Sequence, residues 1–234
     1  MDVGREQPPC FTGRQDTLQR IHSFLWPPPP SSLSKSQPHH SGRKKITISG
    51  ISGAGKTAVA LEYAYTHQEQ YYVVFWLNAR NADELAISAS QTLGCIIEEF
   101  KNRWGKSWLQ QPELCQRLAL ELRVRDGFVD MDSLVKEATK KEQSVERLMA
   151  WLPKRMPWLL ILDGYDDPMA FDIDRLLPKT GIGHVLITSQ HQDSYPLAEQ
   201  IALPSKLEEG EGVELLKSVA GLQAASCCSG SCGT

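Results

Sequence analysis

The chain has 234 residues, enough for one α/β domain with a sizeable core and additions at its margins, and its 41% apolar content falls short mainly in a few segments that cannot pack a core. A formal net charge of −3, with lysines and arginines scattered rather than striped along one face, provides no general attraction for nucleic acid. Residues 1–7 lack an apolar signal core and no run approaches bilayer length, so a membrane is excluded too and an intracellular, cytoplasmic protein is expected. Cys10, Cys95 and Cys115 lie far apart and read as free thiols of a reducing compartment. Cys227, Cys228 and Cys232 sit among small residues without a nearby histidine or a prenylation box, so residues 223–234 read as an unstructured tail rather than a metal or palmitoylation site.

Along the chain, Phe11-Thr12-Gly13-Arg14 precedes a segment in which Leu18, Ile21, Phe24 and Leu25 share one helical face, ended by Pro27. Residues 1–26 are therefore expected to form a lead-in segment with an amphipathic helix. Residues 27–42 are mainly proline, serine and histidine with Leu33 as the one apolar aliphatic residue, which reads as a flexible linker rather than a polyproline ligand. Ile46-Thr47-Ile48-Ser49 then leads as a strand into Gly50-Ile51-Ser52-Gly53-Ala54-Gly55-Lys56-Thr57, and a helix follows from Ala58 to about Gln68.

A glycine-rich turn between a strand and a helix points successive amides inward, and together with the helix start these cradle anionic oxygens. Gly50, Ser52, Gly53, Ala54, Gly55, Lys56 and Thr57 are the expected phosphate-binding set. The Lys56 ammonium is placed to reach the β- and γ-phosphates. The Thr57 hydroxyl is a hard oxygen donor suited to Mg²⁺.

Tyr71 to Leu77 is a nearly continuous apolar run, as for a strand buried on both faces, with Trp76 as a core residue. Helices are expected at Leu85–Phe100, Pro112–Val124 and Gln143–Leu152, the last with an apolar stripe of Val145, Leu148, Met149 and Leu152. Loops are expected at Lys101–Ser107 and Arg125–Asp130. Trp158-Leu159-Leu160-Ile161-Leu162-Asp163 is a buried strand ending in a carboxylate. Ligands collect at the carboxyl ends of strands in open parallel sheets, so Asp163 and the glycine-rich loop can face one pocket. There Asp163 would hold Mg²⁺ through a coordinated water; the plainer alternative is an aspartate opening a turn before Gly164. Gly183 to Ser189 is another strand, Gln200 to Pro204 a shorter one, and Glu208 to Ala220 a helix. Strands alternating with helices imply right-handed crossovers and a parallel, three-layer α/β sheet.

With these residues assembled, the chain resembles the NB-ARC family, the nucleotide-binding module of the STAND class of signalling ATPases, from about Phe11 to Leu222. Gly13-Arg14 looks like the family's amino-terminal Gly-Arg element, Gly50 to Thr57 its Walker A loop, Val74 to Ala79 its second strand, and Leu159 to Asp163 its Walker B strand. His184 to Gln190 matches the strand carrying the γ-phosphate sensor, and Ile201 to Leu216 the passage into the helical ARC segment.

The resemblance implies a P-loop NTPase domain over 43–204 with strand order 5-1-4-3-2, followed at 205–222 by the start of the ARC segment. It further implies ADP bound at rest and ATP when active, Mg²⁺ held by Thr57 and Asp163, and Arg14 beside the nucleoside. Thr188 would lie on the nucleotide, and Lys56 and Asp163 would be the catalytic pair. Protein partners in a signalling assembly, as in immune and apoptotic switches, would read out the exchange.

Three departures qualify that expectation. Gly164 follows Asp163 where many relatives carry a second carboxylate, leaving Asp166 and Asp167 as substitutes to position water. Gln190 stands in place of the sensor arginine, and a neutral amide cannot make the charge-assisted contact, although Thr188 and Ser189 remain as donors. The chain ends at Thr234, before the rest of the helical segment and the winged-helix domain, so a sensor core without input or output is expected. The leading expectation is an adenine-nucleotide switch with slow or impaired hydrolysis, at most a weak ATPase. The alternatives are a turning-over P-loop ATPase or small-molecule kinase, against which there is no arginine cluster between Asp163 and Thr234, and a degenerate P-loop scaffold.

Overall fold

The structure, a computed structural model, describes residues 11–27, 43–104, 112–124, 131–153, 156–169, 171–177, 181–191, 198–207 and 209–220. The expected linker after Pro27, the loop at 125–130 and the cysteine-rich tail lie outside these residues. Five strands follow from the apolar runs: β1 (Lys44–Ser49), β2 (Val73–Asn78), β3 (Trp158–Asp163), β4 (Gly183–Ser189) and β5 (Glu199–Ala202). All pair in parallel in the order β2-β3-β4-β1-β5, the expected arrangement counted from the other edge. Ser49 lies opposite Ser189 and Ala202, and Asn78 opposite Asp163, so the carboxyl ends of the strands finish along one rim.

Side chains alternate across a strand, and here both faces are covered. On one face α1 (Gln15–Leu25) and α2 (Lys56–Thr66) bring Leu18, Ile21, Leu25, Val59, Ala60, Tyr63 and Ala64 against Ile46, Ile48, Leu159, Ile161 and Leu186. On the other, α3 (Ala82–Trp104), α4 (Pro112–Glu121), α5 (Met131–Ala138), α6 (Lys141–Trp151) and the short α7 (Ile173–Leu176) cover Phe75, Leu77, Leu160, Leu162, Val185 and Ile187. Each fully buried Leu or Ile contributes about 1.5–3 kcal/mol, so this two-sided burial fixes the helix layers more firmly than helix propensity does. The result is the expected three-layer α/β P-loop arrangement, with α8 (Glu209–Val219) following β5.

Several boundaries differ from those expected. Lys101 to Trp104, expected to open a loop running to Ser107, belong instead to α3, which begins at Ala82, with Lys101 bonded back to Glu98 at 2.8 Å; residues 105–107 lie outside the described residues. The helix α4 stops at Glu121 rather than Val124. Arg123 takes a left-handed φ of 53°, and the amides of Arg123 and Val124 bond the carbonyls of Leu120 and Ala119, a Schellman ending without the usual glycine. The helix α5 was not anticipated, since its eight residues give the apolar pattern only two turns, yet Leu134 and Ala138 are fully buried. Arg147, buried on α6, ties α5 in by donating to the carbonyls of Glu137 and Ala138. Strand β5 ends two residues before Pro204, earlier than expected.

Candidate functional site

The loop from Gly50 to Gly55 crosses the sheet rim between β1 and α2. Its base is clamped on both sides: the Gly50 amide donates to the Ser189 carbonyl of β4 at 3.2 Å, and the Leu203 amide after β5 donates to the Ser49 carbonyl at 2.7 Å. Within it the Ala54 amide bonds the Ile51 carbonyl, and Val59 bonds Gly55 to begin the α2 ladder. Gly53 and Gly55 have φ of 80° and 91°, a region that suits glycine, while no heavy atom stands within 4 Å of where a Cβ would lie. Backbone geometry, not crowding, therefore demands glycine there. Ile51, Ser52 and Gly53 are exposed, so the loop opens to solvent. No side chain caps α2 and its first turn carries no acid, which leaves its leading amides available to an external anion.

Lys56 folds back over this loop, its Nζ donating to the carbonyls of Gly50 at 2.8 Å and Ile51 at 2.9 Å. One residue on, the Thr57 hydroxyl donates to Asp163 Oδ1 at 2.9 Å, joining the helix start to the end of β3. The same oxygen accepts the Thr188 hydroxyl from β4 at 2.7 Å, and Thr188 Oγ1 in turn accepts the Gly164 amide at 2.9 Å. Asp163 is 8% exposed and Thr188 1%. Three separate elements thus converge on one carboxylate. Thr188's single hydroxyl proton is spent on Asp163, so in this arrangement it orients that carboxylate rather than reaching outward.

The two residues weighed as substitutes for a second carboxylate are engaged elsewhere. Asp166 Oδ1 accepts the Gln190 amide at 2.6 Å and the Ser189 hydroxyl at 3.2 Å, while Oδ2 accepts Gln190 Nε2 at 3.0 Å. Asp167 accepts the Met169 amide. Gln190 and Ser189 are therefore turned to Asp166 and pin the loop after β3 to the end of β4. Arg14 has a left-handed φ of 59°; its amide donates to Glu211 Oε1 of α8 at 2.8 Å and its guanidinium to the Pro204 carbonyl at 2.9 Å. It braces the connection from β5 to α8 at the same rim.

Sequence reasoning did not single out Arg80. The Ala79 amide bonds the Asp163 carbonyl at 2.8 Å, which fixes the chain leaving β2 beside the end of β3. Arg80 lies so close over Gly164, itself at φ 83°, that a Cβ there would stand 2.9 Å from Arg80 Cγ and 3.6 Å from Nε. The available signal was Asn78-Ala79-Arg80, a polar ending to an apolar strand that falls in register with Asp163.

Chemically, the rim pairs amides and an ammonium suited to an anion with two hydroxyls and a carboxylate suited to a hard cation. Among the described residues no group of three or more His, Cys, Asp or Glu side chains is placed to hold a metal alone, and no helix is long and apolar enough to cross a membrane.

No protein-family model matches the sequence, nor does any curated protein. Among solved structures, the chain is similar to a signal transduction ATPase with numerous domains (STAND) protein with a tetratricopeptide repeat sensor from Pyrococcus horikoshii, at 16% identity and a TM-score of 0.41. It is also similar to Cdc6p from Pyrobaculum aerophilum, at 13% identity and a TM-score of 0.47. The aligned parts cover 94% and 92% of this chain but only 27% and 51% of those chains, and the likeness is one of backbone course alone.

Proposed function

We propose that the rim binds an adenine nucleotide with Mg²⁺ and that the protein is a nucleotide-dependent signalling switch of the NB-ARC type with slow hydrolysis. One observation carries the reading: Thr57, Asp163 and Thr188 form a connected set beside a glycine loop whose lysine, among the described residues, is bonded to that loop's own carbonyls alone. Such a lysine can exchange two neutral acceptors for charged phosphate oxygens, which make stronger bonds.

The amides of Gly53, Gly55 and Lys56 would hold the β-phosphate, with Gly50, Ser52 and Ala54, whose amide braces the loop on the Ile51 carbonyl, shaping the entry. Lys56 would neutralise charge on the terminal phosphates. Thr57 would ligate the metal and Asp163 would fix it through water, and Thr188 keeps Asp163 aimed. When bound, Mg²⁺ supplies charge neutralisation across the phosphates. Its remaining ligands would come from phosphate and water, in keeping with the lack of a ready protein cage among the described residues.

Slow hydrolysis is supported by two features. Gly164 offers no side chain to a water, and Asp166, held by three donors, is turned away from that task. A switch also needs different contacts in its two states, because a ligand that binds both equally shifts nothing. Arg14 offers a route for relay: it would close the nucleoside side while its amide is held by Glu211 of α8, so a change at the base would be felt by that helix and by protein partners beyond it.

The test is to purify the protein without added nucleotide, denature it and identify what is released, beside steady-state turnover. Co-purified ADP with little turnover is the expected result. Sustained ATP consumption would instead make it a turning-over ATPase. An empty protein with no thermal shift on adding ADP or ATP with Mg²⁺ would make it a scaffold. Lys56→Ala should lose nucleotide and leave the melting temperature nearly unchanged, since the ammonium bonds loop carbonyls at the rim rather than core residues.

A further inference from the structure

We infer that Arg80 supplies the cation that contacts the terminal phosphate of a nucleoside triphosphate, and so distinguishes triphosphate from diphosphate at this rim. The inference rests on the nucleotide-binding reading above. Gln190 is neutral, and its amide group is occupied by Asp166. Another positive group is therefore needed wherever the extra charge of a third phosphate arrives.

Arg80 meets the placement that role requires. The Ala79 amide on the Asp163 carbonyl anchors its backbone, and β2 and β3 neighbour each other about 4.8 Å apart. Its Cγ, Cδ and Nε run along Gly164, the residue next to the carboxylate that Thr57 touches. The side chain is exposed, and its guanidinium has no hydrogen bond or ion pair among the described residues. An arginine held at its stem and free at its tip keeps all its donors for a ligand. Gly164 completes the arrangement, since any side chain there would collide with the arginine stem. The residue that removes a second carboxylate from the end of β3 thus makes room for a cation. Lys56 approaches from the β1 side and Arg80 from the β2 side, with the Asp163 cluster between them.

The test measures binding of Mg-ADP and of the non-hydrolysed analogue Mg-AMP-PNP by calorimetry to the wild-type chain, Lys56→Ala, Arg80→Ala and Arg80→Lys. Arg80→Ala should weaken Mg-AMP-PNP by about tenfold or more and leave Mg-ADP within about twofold, while Arg80→Lys falls between. As an exposed substitution it should leave the nucleotide-free melting temperature within about 2 °C. If the wild-type chain binds the probes through Lys56 but Arg80→Ala lowers both equally or neither, Arg80 does not play this part and the site reading stands. If the wild-type chain binds neither probe, or binds them independently of Lys56, both fall together.

Discussion

Thr188 gives the sharpest test of how the candidate site is built. Replacing it by valine keeps the shape and removes the hydroxyl, which donates to Asp163 Oδ1 at 2.7 Å and accepts the Gly164 amide at 2.9 Å. A hydrogen bond to a charged group contributes about 1.5–3 kcal/mol, and a buried amide left without an acceptor costs about 1–3 kcal/mol. Because Thr188 is 1% exposed, water cannot readily take the hydroxyl's place. Allowing for the smaller desolvation cost of valine, Thr188→Val should destabilise by about 3 kcal/mol, or about 6–12 °C in melting temperature for a chain of this size. Thr188→Ser keeps both bonds and loses one methyl, so it should cost only about 1 kcal/mol. Urea denaturation of both variants, with an unchanged slope, reads the difference. If valine is no worse than serine, the hydroxyl does not join β4 to β3 and the converging cluster around Asp163 is wrong. With the cluster intact, Thr188→Val should also weaken the Mg²⁺ dependence of nucleotide binding by freeing Asp163 to rotate.

Gly183 opens β4 where a Cβ would stand 2.0 Å from the Trp158 indole, so Gly183→Ala should cost about 3 kcal/mol or more in a denaturation experiment, and a near-neutral outcome would refute that packing. His67 stacks on Tyr63 and His22 at 4.4 Å, and burial holds its pKa below the usual 6.5, only partly offset by the Tyr63 carbonyl. The unfolded chain therefore takes up that proton first, so the neutral ring's contribution is complete above pH 6.5 and drains away as pH falls toward the folded pKa. Stability measured from about pH 7 down to pH 5 should fall more steeply for the wild type than for His67→Gln, and parallel curves would rule this out.

Much of the fold could be read from residue patterns because burial on both faces leaves long apolar runs. Trp158–Asp163 and Gly183–Ser189 were legible to the residue for that reason. Helix ends were harder. Arg123 adopts a conformation that usually signals glycine, and its identity gave no hint of it. The loop, Lys56, Thr57 and Asp163 could be anticipated from spacing, since backbone geometry dictates glycine at Gly53 and Gly55. The bond from Thr188 to Asp163 and those from Ser189 and Gln190 to Asp166 could not. Those bonds join the end of β3 and the loop after it to the end of β4, which only strand register brings side by side, and Arg80 becomes visible only once β2 is laid against β3.

Strand register also sets an order of assembly. The strand β1 leaves the ribosome early, yet both its neighbours, β4 and β5, come from the far part of the chain, with Lys44 opposite His184. Closing so long a loop is entropically slow, so β1 waits as an unframed hydrophobic segment while β2 and the helices after it emerge. Nascent chains stalled before residue 183 should therefore gain no protection from nucleotide, and whatever shields Ile46 and Ile48 during that interval must be something other than the sheet they finally join.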